Sequence, residues 1–139
     1  MDIKICLFTA NKDYLKSLMP HEDLILKSIK KFGSFTVINF FNILSKKNIE
    51  VDTSEIEKKY NSKIIFFYPK SKKEFNNFVK NKKIFAIDTI GKNTLKVFSL
   101  RKLINKKNIF MILLLNYGFV SNEEYGQIKL EFKNYFYIF

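Results

Sequence analysis

The chain has 139 residues, 47% of them apolar and 17% aromatic, which suits one domain with a substantial core and is too hydrophobic for a disordered segment. It carries 25 basic and 13 acidic residues, one histidine and one cysteine, giving a formal charge of +12 at pH 7. A single cysteine excludes an intrachain disulfide and a cysteine-rich metal cluster, and the longest apolar run, Ile109–Leu115, is far short of the roughly 20 residues of a membrane helix.

Ile3–Ala10 (IKICLFTA) is short and almost wholly apolar, which predicts a strand buried on both faces, with Cys6 acting as a small core hydrophobe. Asn11–Met19 is polar, with Tyr14, Leu15 and Leu18 interspersed. Pro20-His21-Glu22-Asp23 then marks a helix start, because proline fits a first turn and acids suit the positive end of the helix dipole. Ile25, Ile29 and Phe32 form one apolar helical face, and Gly33 supplies the stop. A second strand is expected at Ser34–Phe40, and Phe41–Val51 reads as irregular.

Ser54-Glu55-Ile56-Glu57 has capping-box spacing and opens a short helix to about Tyr60. Lys63–Tyr68 is a third buried strand closed by Pro69. Ser71-Lys72-Lys73-Glu74 repeats the capping box, ahead of a helix buried through Phe75, Phe78 and Val79. Lys83–Asp88 is a fourth strand with Gly91 in the turn beyond it. Val97, Leu100 and Ile104 mark another helix, and Ile109–Asn116 is a fifth strand. After Gly118 a short helical turn at Ser121–Glu124 leads into Ile128–Phe132, whose alternation suggests a half-buried strand pairing with Tyr135–Phe139; a longer helix through Tyr125, Ile128 and Phe132 is the other reading.

Five apolar strands alternating with helices predict an α/β fold: one Rossmann-like three-layer domain over residues 1–139, with a mostly parallel sheet of about five or six strands. The order of the strands stays open. The lysine groups Lys30/Lys31, Lys58/Lys59, Lys80/Lys82/Lys83 and Lys106/Lys107 fall at helix ends, where cations complement unpaired carbonyls. Arg101 is the one arginine. Base readout and bidentate phosphate clamps favour arginine, so the charge points to anionic lipid headgroups more than to nucleic acid.

In open parallel sheets ligands bind beyond the carboxyl ends of the strands, where the strand order reverses. The loops there supply Asn11, Lys12, Asp13, Lys70, Thr89 and Asn116 as candidate substrate-binding residues. His21 and Asp88 are the candidate general bases, one as the chain's only imidazole and the other as a carboxylate ending a strand, against the plainer readings of an exposed helix-start histidine and a buried strand-end aspartate capping the next loop. Thr9-Ala10-Asn11-Lys12 contains no glycine, so neither a dinucleotide fingerprint nor a Walker A loop is present. There is no G-x-S-x-G elbow and no metal-ligand spacing. No cofactor is expected.

The run Asp2–Thr9, the Pro20-His21-Glu22 helix entry and Ser34–Asn39, followed by Phe85-Ala86-Ile87-Asp88 and Ile109–Gly118, resembles the N-terminal, acceptor-side half of GT-B glycosyltransferases. The resemblance reaches to about Asn122 and rests on pattern, not on a diagnostic motif. It implies a role in surface polysaccharide synthesis, with His21 or Asp88 as base toward an acceptor hydroxyl. The glycine-rich turn of many such enzymes is missing after the first strand. The donor-binding half does not fit in 139 residues, so the resemblance implies a partner subunit supplying it, or a truncated remnant. A non-catalytic α/β binding or scaffold domain and a basic nucleic-acid binder are the rival readings. Asp2 and Lys4 interrupt the start and no signal-peptide cleavage site follows, so a cytoplasmic location is expected, with peripheral contact to a membrane surface as its extension.

Overall fold

Successive side chains of a strand point to opposite sides of its sheet, and the first strand uses both. In the computed structural model, which describes residues 2–90, 95–112 and 135–136, β1 (Asp2–Thr9) sends Ile5 and Leu7 into one apolar cluster and Cys6 and Phe8 into another. A strand buried in this way must lie inside the sheet.

The chain continues through α1 (Tyr14–Leu18), a 3-10 turn (Met19–His21), α2 (Glu22–Phe32), β2 (Phe35–Asn39), α3 (Phe41–Ser45), α4 (Ser54–Lys59) and β3 (Ile64–Phe67). It then forms α5 (Lys72–Val79), β4 (Lys82–Asp88), α6 (Leu95–Ile104), β5 (Ile109–Ile112) and the two-residue β6 (Tyr135–Phe136). The sheet order is β3-β2-β1-β4-β5-β6, and every adjacent pair is parallel. The fold is therefore α/β, a Rossmann-like three-layer arrangement.

The layers follow from the order. Moving outward from β1 to β3, the connections carry α1, α2, α3 and α4. Tyr14, Leu18, Leu24, Ile25 and Ile56 of α1, α2 and α4 pack with Ile5, Leu7, Phe35 and Val37, while Ile43 and Leu44 of the short α3 pack on the other face. The chain then returns past β1 to β4 and moves outward the other way. Its helices α5 and α6 place Phe75, Val79, Leu100 and Ile104 against Cys6, Phe8, Ile84 and Ala86 on the opposite face. Crossovers of one hand require this change of face when the direction across the sheet reverses. Phe8, Phe40 and Phe75 meet edge to face with centroids 5.1–6.3 Å apart, a geometry that adds about 0.5–1.5 kcal/mol per pair to simple burial.

Local chemistry sets the helix boundaries. Gly33 takes φ 87° after α2 and its N–H returns to the Ile29 carbonyl at 2.9 Å, the left-handed cap that glycine adopts without strain. Ser71 caps α5 by accepting the Glu74 N–H at 3.1 Å, and the Glu74 carboxylate reaches back to the Lys70 N–H at 3.3 Å. This is the expected reciprocal box, displaced by one residue on its return arm.

Three expectations change. The first capping box is shifted: Thr53 occupies the N-cap of α4, and the Asp52 carboxylate captures the Ser54 N–H at 3.0 Å and hydroxyl at 2.7 Å. An Asx turn thus pulls Ser54 into the helix as its first residue. Phe41–Val51 is not wholly irregular, because Asn39 Oδ1 accepts the Phe41 N–H at 2.9 Å and launches α3 directly from β2. The third strand is an edge strand, with Ile65 41% exposed, instead of one buried on both faces. At the tail, Tyr135–Phe136 pairs parallel with β5; Ile128–Phe132, its suggested partner, lies outside the described residues, as do Gly91 and the 113–116 end of the fifth strand. Among the described residues no helix is long and apolar enough to cross a membrane.

Candidate functional site

The strand order reverses between β1 and β4, so the loops leaving these two strands depart to opposite faces, the position where open parallel sheets form a ligand crevice. Its floor is built from ladder extensions. The Thr89 N–H and hydroxyl both donate to the Phe8 carbonyl, at 2.9 and 2.8 Å, and the Phe40 N–H donates to the Thr9 carbonyl at 2.8 Å.

On the β1 side, Asn11, Lys12 and Asp13 are exposed in the loop after Thr9. Asn11 bends that loop: its N–H donates to Thr9 Oγ1 at 3.2 Å, and its Oδ1 accepts the Asp13 N–H at 3.1 Å. Asp13 stands at the N-cap of α1 without a side-chain capping bond. The fully buried Asn39, at the end of β2, donates from Nδ2 to the Asn11 carbonyl at 2.8 Å while accepting from Phe41. It therefore ties the loop after β1 to the loop after β2.

Tyr68, just beyond β3, completes this side. Burial pushes its phenol up to about 12, reinforced by the neighbouring Tyr14 and opposed by the Asn39 carboxamide beside it. The hydroxyl thus remains protonated. Tyr14 reaches the Asp52 carbonyl at 3.4 Å, and its own pKa is raised by burial first and then by Asp52, Asp13, Glu57 and Glu55. Lys70 is exposed on the loop that follows.

The β4 side is organised by charge. Asp88 Oδ2 pairs with the Arg101 guanidinium from α6, and Asp88 Oδ1 accepts the Ile90 N–H at 2.9 Å. Arg101 also donates to the Ile90 carbonyl at 3.3 Å. Asp88 therefore sits at the predicted edge, but both carboxylate oxygens already hold the loop that begins there. Asn116 lies outside the described residues.

His21 ends the 3-10 turn and immediately precedes α2, with 8% of its surface exposed. Burial depresses its pKa below 6.5, because desolvation penalises the imidazolium. It is therefore a neutral imidazole at pH 7, the state a general base requires. The structure places Asn11, Lys12 and Asp13 in the loop leaving β1, Thr89 just beyond the end of β4, and Lys70 beyond the edge strand β3, two strands away from β1. It gives His21 a separate position within the helical turn that leads into α2.

Asn39, Tyr68 and Arg101 were not among the residues singled out from sequence. Arg101 carried the one available signal, a lone arginine among lysines on a helix following a strand-end aspartate. Among the described residues no group of three or more His, Cys, Asp or Glu side chains gathers to hold a metal. Burial also pushes the Cys6 thiol far up, so it is inert as a nucleophile in the folded chain. Compared with protein-family models, curated proteins and solved structures, the chain matches none of them.

Proposed function

We propose that the chain is an acceptor-side, GT-B-like glycosyltransferase domain of surface polysaccharide synthesis, with its sugar acceptor in the crevice between β1 and β4. The observation that supports this reading is the reversal of strand order at β1 and β4, the position where open parallel sheets bind their ligands. Asn11, Lys12, Asp13, Lys70, Thr89 and Asn116 would contact the acceptor. By protonation state His21 is the better candidate to take a hydroxyl proton, since both oxygens of Asp88 are engaged; it stands in the turn before α2, so the acceptor would have to extend from the crevice to reach it. The donor nucleotide sugar would be held by a partner subunit.

The test is transfer from nucleotide sugars to glycan or lipid-linked acceptors, assayed with the chain alone and with the products of neighbouring genes. Transfer that His21→Gln abolishes supports the reading. No transfer in any combination removes the enzymatic claim.

A non-catalytic binding or scaffold role is favoured by one observation. Asn39, Asp88 and Thr89, the polar side chains at the crevice floor, are committed to the protein's own backbone or to Arg101. On that reading the crevice holds a ligand or partner without altering it. Retained ligand binding with no turnover would distinguish it.

A further inference from the structure

Helices that connect parallel strands run back against them, so helix C-termini and strand amino ends share the edge opposite the crevice. That edge gathers lysine. Lys30 and Lys31 lie in the last turn of α2, and Lys63 directly precedes β3, its carbonyl accepting the first N–H of β2 at 2.9 Å. Lys80 is the C-cap of α5, and Lys82 and Lys83 open β4.

Among the described residues carboxylates do not balance these six lysines, the tightest surface pair being Glu22 with Lys59 of α4 at 3.2 Å. Asp2 faces Lys4 at 3.8 Å, and Glu57 accepts the Thr53 hydroxyl. At the crevice edge, by contrast, Asp13, Asp52, Glu74 and Asp88 are interspersed with Lys12, Lys70 and Lys73. Among the described residues the lysine excess therefore lies toward the amino edge.

Three of these lysines also lie over aromatic rings. Lys31 lies 5.4 Å from the Phe32 ring, Lys82 4.6 Å from Phe78, and Lys83 5.7 and 5.2 Å from Phe85 and Phe110. Ammonium groups set over aromatic rings give this edge an amphipathic surface, with Lys82 also donating to the Phe78 carbonyl. Ile3, 43% exposed and paired in register with Lys83, adds an apolar side chain to it.

We propose that this amino edge docks on an anionic lipid surface and holds the crevice facing away from it. Lipid fits better than nucleic acid because the cations are lysines, compact point charges without the planar fork that reads bases or clamps single phosphates. Each lysine brought near an anionic membrane strengthens binding about fivefold, and the attraction fades within a Debye length. The surface lies opposite the crevice, so the inference stands apart from the sugar-transfer reading.

The experiment is co-sedimentation of the full chain with vesicles of phosphatidylcholine alone and of an equimolar mixture with phosphatidylglycerol, at low and high salt. Binding is expected to the mixed vesicles alone and to disappear at high salt. The triple reversal Lys30→Glu/Lys31→Glu/Lys80→Glu, all at exposed positions, is expected to weaken it about a hundredfold or more. The reversal Lys46→Glu/Lys47→Glu/Lys73→Glu, identical in net charge, keeps affinity within about fivefold. Lysine-to-glutamine triples whose circular dichroism matches the parent repeat the comparison should a reversal misfold. Equal losses from the two triples, no preference for anionic vesicles, or binding to a single-stranded oligonucleotide at a salt concentration where vesicles are ignored would each overturn the proposal.

Discussion

Asp88, the last residue of β4, and Arg101, on α6, form an ion pair whose side chains are 9% and 10% exposed. Removing one partner of a buried pair leaves the other charged without compensation, at a cost of about 3–5 kcal/mol. Arg101→Ala is expected to lose about that much in urea denaturation. Arg101→Lys restores only part of it, because a single ammonium cannot serve the carboxylate and the Ile90 carbonyl from one plane. The double substitution Asp88→Leu/Arg101→Met is expected to cost far less than the two single losses added together, since no orphaned charge remains. Additive losses would show that the two groups are stabilised independently.

The two Ser-x-x-Glu segments make opposite predictions from the same spacing. Ser71 accepts the Glu74 N–H, so Ser71→Ala is expected to destabilise by about 1 kcal/mol, the usual worth of an N-cap. Ser54 is the first residue of α4, and its exposed hydroxyl meets only Asp52. Ser54→Ala should therefore stay within about 0.5 kcal/mol of the parent. Thermal or urea unfolding of the two variants side by side checks this ranking.

That contrast shows where sequence is informative and where it stops. Strands such as Ile5–Phe8 and helix faces such as Ile25–Ile29–Phe32 were legible because burial imposes a period on the chain itself. The N-cap of α4 depended on which of three adjacent polar residues, Asp52, Thr53 or Ser54, won the backbone donors, and their spacing alone does not separate them. Likewise α3 is a single turn with no room for a period; its start is fixed by Asn39 across the end of a strand. Of the candidate site, the crevice edge followed from chain direction. The partnership of Asn39 with Asn11 needed the strand order, which no local pattern carries, whereas that of Asp88 with Arg101 lies within the single unit running from β4 to α6.

Folding places His21 in a poorly solvated position that depresses its pKa below 6.5. The unfolded chain therefore binds more protons than the folded one as pH falls through and below that value, and linkage makes stability fall with it. The stabilising contribution is complete above pH 6.5 and is lost as pH drops toward the folded-state value. In His21→Gln this share of the pH dependence should vanish, so the urea midpoints of parent and variant converge or cross between neutral and mildly acid pH. Parallel profiles would mean that His21 is as easily protonated folded as unfolded.

Asn39 offers the sharpest test of how the crevice is held. Its carboxamide donates to the Asn11 carbonyl and accepts from the Phe41 N–H with the side chain fully buried, so each half of the amide does a different job. Asn39→Leu strands both backbone groups, each costing about 1–3 kcal/mol when left unpaired, so about 2–6 kcal/mol is expected in total. Asn39→Asp keeps the acceptor for Phe41 but turns an ionised oxygen toward the Asn11 carbonyl. That carboxylate is buried without a cation, so its pKa rises and the variant recovers stability as pH is lowered, opposite in sign to the His21 effect. If Asn39→Asp instead tracks the parent at every pH, the Nδ2 bond to Asn11 contributes nothing, and the loops after β1 and β2 are held together by other contacts.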